Sequence, residues 1–144
     1  MHERILGCSL PTPAALSYIG DAVHSLYVRR MLVARGITRS SELNEKALLF
    51  VTAEAQAELY RRIEGELLPD EQDVFRRAFN SNHLNKPRRA SAKDYRIATG
   101  FEAVLGMLEW IGDRDRLLML LELAHRESGD GIDIEGDGIK ANEE

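Results

Sequence analysis

A chain of 144 residues can bury a real core in one domain, and 44% apolar against 30% charged residues mark it as globular rather than disordered. The single cysteine, Cys8, excludes an internal disulfide and suits a reducing compartment; without a His or second Cys at ligand spacing it also excludes a cysteine-based metal site. The net charge of −5 argues against a nucleic-acid partner until its distribution is read, and no apolar run reaches the roughly 18 residues that a bilayer-spanning helix needs, so no membrane role is expected.

Residues 1–11 are a short lead-in without the apolar stretch of a signal peptide, which points to a soluble, cytoplasmic protein. Thr12 and Pro13 read as an N-cap followed by proline at the first helical position, and the helix they open is expected to run to about Ala34, with Gly36 closing it in the left-handed conformation. Leu16, Ile19, Ala22, Val23, Leu26 and Tyr27 fall on one broad side of this helix, opposite a polar stripe of Ser17, Asp21, His24 and Ser25. Asp21 and Gly20 thus read as a carboxylate and a glycine buried in an otherwise apolar helix. Gly20 costs about 1 kcal/mol relative to Ala, so another helix or another chain is expected to approach it closely.

Ser40 or Ser41 caps a second helix through Leu43, Ala47, Leu48 and Phe50. Thr52 recaps the chain, so residues 52–64 form a third helix or a bent continuation, closed by Gly65. Pro69, with Asp70, Glu71 and Asp73 complementing a helix N-terminus, opens a fourth segment through Val74, Phe75 and Phe79. From Asn80 to Ala92 the apolar period vanishes and a loop is expected. The period resumes at Lys93, runs through Ile97, Phe101, Val104, Leu105, Leu108 and Ile111, and stops at Gly112. Asp113 caps a last helix with Leu117, Leu118, Leu120, Leu121 and Leu123 on its buried side. No stretch alternates with period two, so the fold class is all-α.

The charge is uneven. Arg76, Arg77, Lys86, Arg88, Arg89, Lys93 and Arg96 stand against Asp94 alone between residues 76 and 96, a basic patch suited to phosphate and sugar contacts. Asp130, Asp133, Glu135, Asp137, Glu143 and Glu144 stand against Lys140 in residues 129–144. That stretch has part of the spacing of a calcium loop, but Glu135 stands at its third position and no helix can follow, so a mobile acidic tail is expected after a domain spanning residues 1–128.

Glu102 repeats the anomaly of Asp21. It is the only charge between Ile97 and Leu108, with Ala98, Thr99 and Gly106, all small, one turn away. A buried carboxylate must be paired, hydrogen-bonded or metal-bound. An Arg from a neighbouring helix would satisfy each; alternatively the two share Mg²⁺, which takes one or two protein carboxylates and completes its octahedron with water and phosphate oxygens. Phosphodiester hydrolysis would then be the chemistry. His24, one turn from Asp21, orients it, reaches substrate, or is a satisfied interior or interface histidine.

Residues 17–23, Ser-Tyr-Ile-Gly-Asp-Ala-Val, resemble the signature helix of the ribonuclease III catalytic domain, and residues 99–106, Thr-Gly-Phe-Glu-Ala-Val-Leu-Gly, resemble its second catalytic segment. With residues 50–57, Phe-Val-Thr-Ala-Glu-Ala-Gln-Ala, and residues 94–96, Asp-Tyr-Arg, the chain resembles the compact branch, Mini-ribonuclease III, from about Ala14 to Glu127. The resemblance implies a helical bundle that acts as a homodimer and cuts double-stranded RNA with Mg²⁺, leaving 5′-phosphate and 3′-hydroxyl ends. It makes Asp21 and Glu102 the catalytic metal ligands, and places Gly20 and His24 at the dimer interface. It offers Arg76, Arg77, Asn80, Lys86, Arg88 and Arg89 as RNA contacts, and a large-subunit ribosomal RNA precursor as substrate, with a ribosomal protein as a candidate second partner. Larger members carry acids where this chain has Ser17 and Thr99, and the compact branch favours Arg-Gly-Arg-Asn where this chain has Arg77-Ala78-Phe79-Asn80. The alternative is a non-catalytic relative that binds RNA or a ribosomal partner.

Overall fold

The computed structural model describes residues 9–81 and 91–126, and in them six α-helices and no strand. They are α1 (Pro13–Ala34), α2 (Ser40–Val51), α3 (Ala53–Ile63), α4 (Pro69–Phe79), α5 (Ala92–Ile111) and α6 (Arg114–His125), with a 3-10 turn at Glu64–Glu66. No helix among the described residues is long and apolar enough to cross a membrane. The lead-in with Cys8, the central part of the basic loop and the acidic tail lie outside the described residues.

Most boundaries follow from capping chemistry. The hydroxyl of Thr12 accepts from the Ala15 amide at 3.2 Å, that of Thr52 from Ala55 at 3.2 Å, and that of Ser91 from Asp94 at 3.0 Å. Asp113 Oδ1 accepts from the Arg116 amide at 3.2 Å. Gly36 and Gly112 both take positive φ, 98° and 79°, just past α1 and α5. Two expected caps differ. Ser40 is already helical and the cap position falls on Arg39 without a side-chain bond, while Gly65 sits inside the 3-10 turn after α3 has ended. At α4, Glu71 accepts from the Leu68 amide at 2.8 Å, and its carboxylate receives Arg116 Nε and Nη2, each at 2.9 Å. This buried fork ties the start of α4 to α6.

The fold is built around α5. From Ile97 to Leu108 every residue is buried except Glu102, so the helix is apolar all round and takes the centre of the bundle, packed by α1, α3, α4 and α6. A second, smaller core joins Val28 and Leu32 of α1 to Phe50 of α2.

The orientation of α1 reverses the expectation from its apolar side. The residues turned inward are Leu16, Ser17, Gly20, His24, Val28 and Leu32, whereas Tyr18 is 81% and Leu26 57% exposed. Asp21 is exposed, not buried. The reason is the approach of α5. A Cβ on Gly20 would stand 1.7 Å from the carbonyl oxygen of Glu102, and one on Gly106 would stand 1.9 Å from that of Leu16. Two glycines let two backbones touch, and Ser17 Oγ donates to the Thr99 carbonyl at 2.8 Å one turn earlier. At the crossing, small and hydrogen-bonded residues therefore face in and Tyr18 and Leu26 face out, while Leu16, Val28 and Leu32 enter the core on either side of it. On α6, Leu118 shares the outward side, 42% exposed, contrary to its expected burial.

Candidate active site

The α1–α5 crossing sets the two carboxylates side by side. Gly20 pins the backbone of Glu102, so Asp21, the next residue on α1, projects at the edge of the crossing where Glu102 leaves the core. A cleft of about 330 Å³ opens there, lined by Ser17, Tyr18, Asp21, Gln56, Tyr95, Thr99 and Glu102 among others. Burial, the adjacent Asp21 carboxylate and a hydrogen bond with it push the Glu102 carboxyl up to about 8, against the opposing effect of the Gln56 amide. Gln56 Nε2 donates to Glu102 Oε2 at 3.1 Å.

Among the described residues no Arg or Lys pairs with Asp21 or Glu102, so the neutralising arginines that would have made both carboxylates structural are absent. The described residues hold no group of three or more potential metal-ligating side chains. A pair of hard oxygen donors at a solvent-open cleft with unbalanced negative charge fits Mg²⁺, which keeps most of its coordination for water and substrate, and it does not fit a closed structural metal site. Ser17 is occupied in the α1–α5 contact, donating to the Thr99 carbonyl, and the Thr99 hydroxyl is occupied within α5, donating to the Tyr95 carbonyl at 2.9 Å.

Two expected interface residues are corrected. Gly20 is covered by α5 of its own chain, and His24 is 0% exposed, so neither has surface to offer a partner. His24 is instead an interior histidine, with Nε2 3.0 Å from His125 Nε2 and Nδ1 3.0 Å from Gln56 Nε2. Burial and the neighbouring His125 lower its pKa to about 3; burial and the Arg62 and Arg35 guanidinium groups lower that of His125 to about 4.

The basic patch is resolved in part. Arg76 and Arg77 are exposed on the last turns of α4, both held by Asp73, with Arg77 Nε 3.2 Å from Asp73 Oδ2. Asn80 caps that helix. Lys86, Arg88 and Arg89 lie outside the described residues. The departure at Ala78-Phe79 has a packing cause. Ala78 is buried, and Phe79 stacks with Phe75 at 5.7 Å under the Arg96 guanidinium, whose carbon is 5.4 Å from the ring centre.

Gln56 and His125 were not singled out as site residues from the sequence. A signal for Gln56 existed: it is the polar member of the buried face of α3 that holds Ala57, Leu59, Tyr60 and Ile63. His125, at the end of a leucine-rich helix, gave none.

Residues 14–113, which include the glycine crossing of α1 and α5 and the two carboxylates beside it, match the family model "Ribonuclease III domain". The Mini-ribonuclease 3 of Thermoanaerobacter sp. (strain X514) is 41% identical over 122 residues, covering 85% of this chain and 84% of that protein. That of Streptococcus pneumoniae is 38% identical over 109 residues, covering 74% and 85%. A crystal structure of a Fusobacterium nucleatum protein shares the fold, with a TM-score of 0.71 over 77% of this chain and 85% of that one, at 24% identity. The chain belongs to the ribonuclease III family, in its Mini-ribonuclease 3 branch, and is an endoribonuclease.

Proposed function

We propose that this endoribonuclease hydrolyses double-stranded RNA with Mg²⁺ held by Asp21 and Glu102, giving 5′-phosphate and 3′-hydroxyl ends. The observation that carries the reading is the pair of adjacent carboxylates, unpaired among the described residues, with Glu102 pushed up to about 8. Bound there, Mg²⁺ would lower the pKa of an attacking water and neutralise the phosphate. Asp21, exposed, and Glu102, recessed behind it, would hold the ion between them, and Glu102 must be ionised to do so. The water oxygen joins phosphorus, the P–O3′ bond breaks, and the departing O3′ takes a proton to become the hydroxyl. Arg76, Arg77 and Asn80, with Lys86, Arg88 and Arg89, make phosphate contacts that track duplex shape rather than sequence.

The working form is a homodimer. Its interface is the outward side of α1 with α6, where Tyr18, Leu26, Val33, Leu118 and Met119 are each at least 40% exposed around a groove of about 690 Å³. Apolar exposure on that scale marks an interaction surface. The RNA is a large-subunit (23S) ribosomal precursor, met in the cytoplasm, with a ribosomal protein as a candidate second partner.

The test compares wild type with Asp21→Asn and Glu102→Gln on a blunt RNA duplex, with and without Mg²⁺. Each substitution is expected to lower kcat at least ~10²-fold while duplex binding in a gel-shift assay persists. Equal cleavage by all three proteins, or binding without cleavage by wild type, would replace the catalytic reading by one of RNA binding alone.

A further inference from the structure

Behind Glu102 runs a line of hydrogen bonds that ends on the far side of the core. Gln56 Nε2 lies 3.1 Å from Glu102 Oε2 and 3.0 Å from His24 Nδ1, and His24 Nε2 lies 3.0 Å from His125 Nε2. Gln56 is 3% and His24 0% exposed, so the middle of the line is closed to solvent, while Glu102 and His125 at its ends are half-buried. The Phe101 ring meets His24 edge-on with centroids 5.2 Å apart, and Phe50 and Tyr27 flank His125 at 5.4 and 5.0 Å.

Once Glu102 is ionised, as holding a metal ion requires, the chemistry of the groups fixes the direction of every bond. A carboxylate only accepts, so it selects the amide end of Gln56. That nitrogen has a second hydrogen, and His24 Nδ1 stands where it points, so Nδ1 carries no proton. A neutral imidazole with a bare Nδ1 is protonated at Nε2, and this proton is donated to His125 Nε2. His125 therefore carries its proton on Nδ1, which has no hydrogen-bond partner among the described residues. With Glu102 ionised the line holds this arrangement only, because reversing any one bond would set donor against donor or acceptor against acceptor; a protonated Glu102 would admit the reverse.

We infer that Gln56, braced by His24 and His125, is a positioning residue for Glu102: it ties down Oε2 and so turns the remaining carboxylate lone pairs toward the ion. The inference rests on the proposed role of Asp21 and Glu102 as metal ligands. Groups that hold a ligand from behind typically change metal affinity by roughly 10- to 100-fold when removed. Gln56 does not reach RNA, and its removal should leave KM for the duplex unchanged once metal saturates.

The first measurement needs only the wild type. Nitrogen chemical shifts of ¹⁵N-labelled imidazoles report the tautomer, and with Mg²⁺ at saturation, so that Glu102 is ionised, His24 is expected to be protonated at Nε2 and His125 at Nδ1; the opposite pair overturns the inference. The second follows Mn²⁺ binding to the protein alone by loss of the free-ion paramagnetic resonance signal, beside the Mg²⁺ dependence of duplex cleavage. Gln56→Leu should weaken Mn²⁺ binding and raise half-saturating Mg²⁺ by roughly 10- to 100-fold, a shift in metal dependence that fold loss alone does not produce. His125→Gln, which keeps an acceptor at the Nε2 position, should bind Mn²⁺ like wild type, whereas His125→Leu should bind it less tightly. Wild-type Mn²⁺ affinity in a Gln56→Leu protein that melts cooperatively, or equal affinity in both His125 variants, defeats the brace and leaves the metal site standing. A wild type that neither binds Mn²⁺ nor cuts duplex RNA defeats the functional reading itself, and the brace with it.

Discussion

The two sides of α1 differ in a way that inverts the ordinary rule for an amphipathic helix. Its inward side carries Ser17, Gly20 and His24, and its outward side Tyr18, Ala22 and Leu26. The inward side is chosen for closeness. Glycine admits the Glu102 carbonyl, serine bonds the Thr99 carbonyl, and histidine completes a polar line that would be costly to leave unpaired. The outward side keeps its bulk for a surface. A helix can thus be polar toward its own core when the contact is backbone to backbone, and apolar toward solvent when solvent is not the final neighbour.

The largest effect should come from filling the crossing. Gly20→Ala puts a methyl 1.7 Å from a backbone oxygen that cannot rotate away, and should cost at least ~3 kcal/mol in urea unfolding while displacing Glu102. Gly65→Ala meets nothing within 4 Å, and should change stability by less than about 1 kcal/mol. Equal costs at the two positions would break the account of the inward side.

The outward side is tested by Leu26→Asp. Because Leu26 is 57% exposed, the monomer should lose no more than about 0.5 kcal/mol, while sedimentation at micromolar concentration shifts from dimer to monomer. A variant that unfolds instead would show that this side belongs to the monomer's core.

Smaller, but separable, are two pH effects on the metal-free protein. The Glu102 carboxyl, raised from 4.5 to about 8, binds its proton more tightly folded than unfolded, so unfolding free energy should fall as pH rises between those values. Mg²⁺ or Glu102→Gln should flatten this slope. His24 and His125, lowered from 6.5 to about 3 and about 4, act in the other sense: their contribution is complete above pH 6.5 and is lost as pH falls toward the folded values. Thermal melts across pH 4 to 9 separate the two limbs.

The smallest effect belongs to the basic patch. Arg77→Ala removes one exposed cation, and should lower the slope of log affinity against log salt by about 1 without altering kcat. An unchanged slope would put the RNA elsewhere.

Much of the site could be read before any coordinates, because its residues break the pattern of their helices. A lone Glu in the run from Ile97 to Leu108 has no packing reason to be there, and a mid-helix glycine beside Asp21 asks for a close neighbour. The sequence left open whether that neighbour is another helix or another chain, and it is α5 of the same chain; a helical wheel gives the sides of a helix but not which of them faces in. Gln56 was harder to see: one polar residue on the buried face of α3 is common, and its two partners come from helices distant in sequence.

The sequence alone determined the helices, their caps at Thr12, Thr52 and Asp113, the stops at Gly36 and Gly112, and the two carboxylates, because each depends on residues within a turn or two of chain. Only the tertiary structure decided that α1 turns Ser17, Gly20 and His24 inward and Asp21 outward, that Ser17 meets the Thr99 carbonyl, and that Gln56, His24 and His125 line up behind Glu102. Those outcomes depend on how near α1 and α5 can come, and two glycines separated by 85 other residues settle that distance only when both are in place.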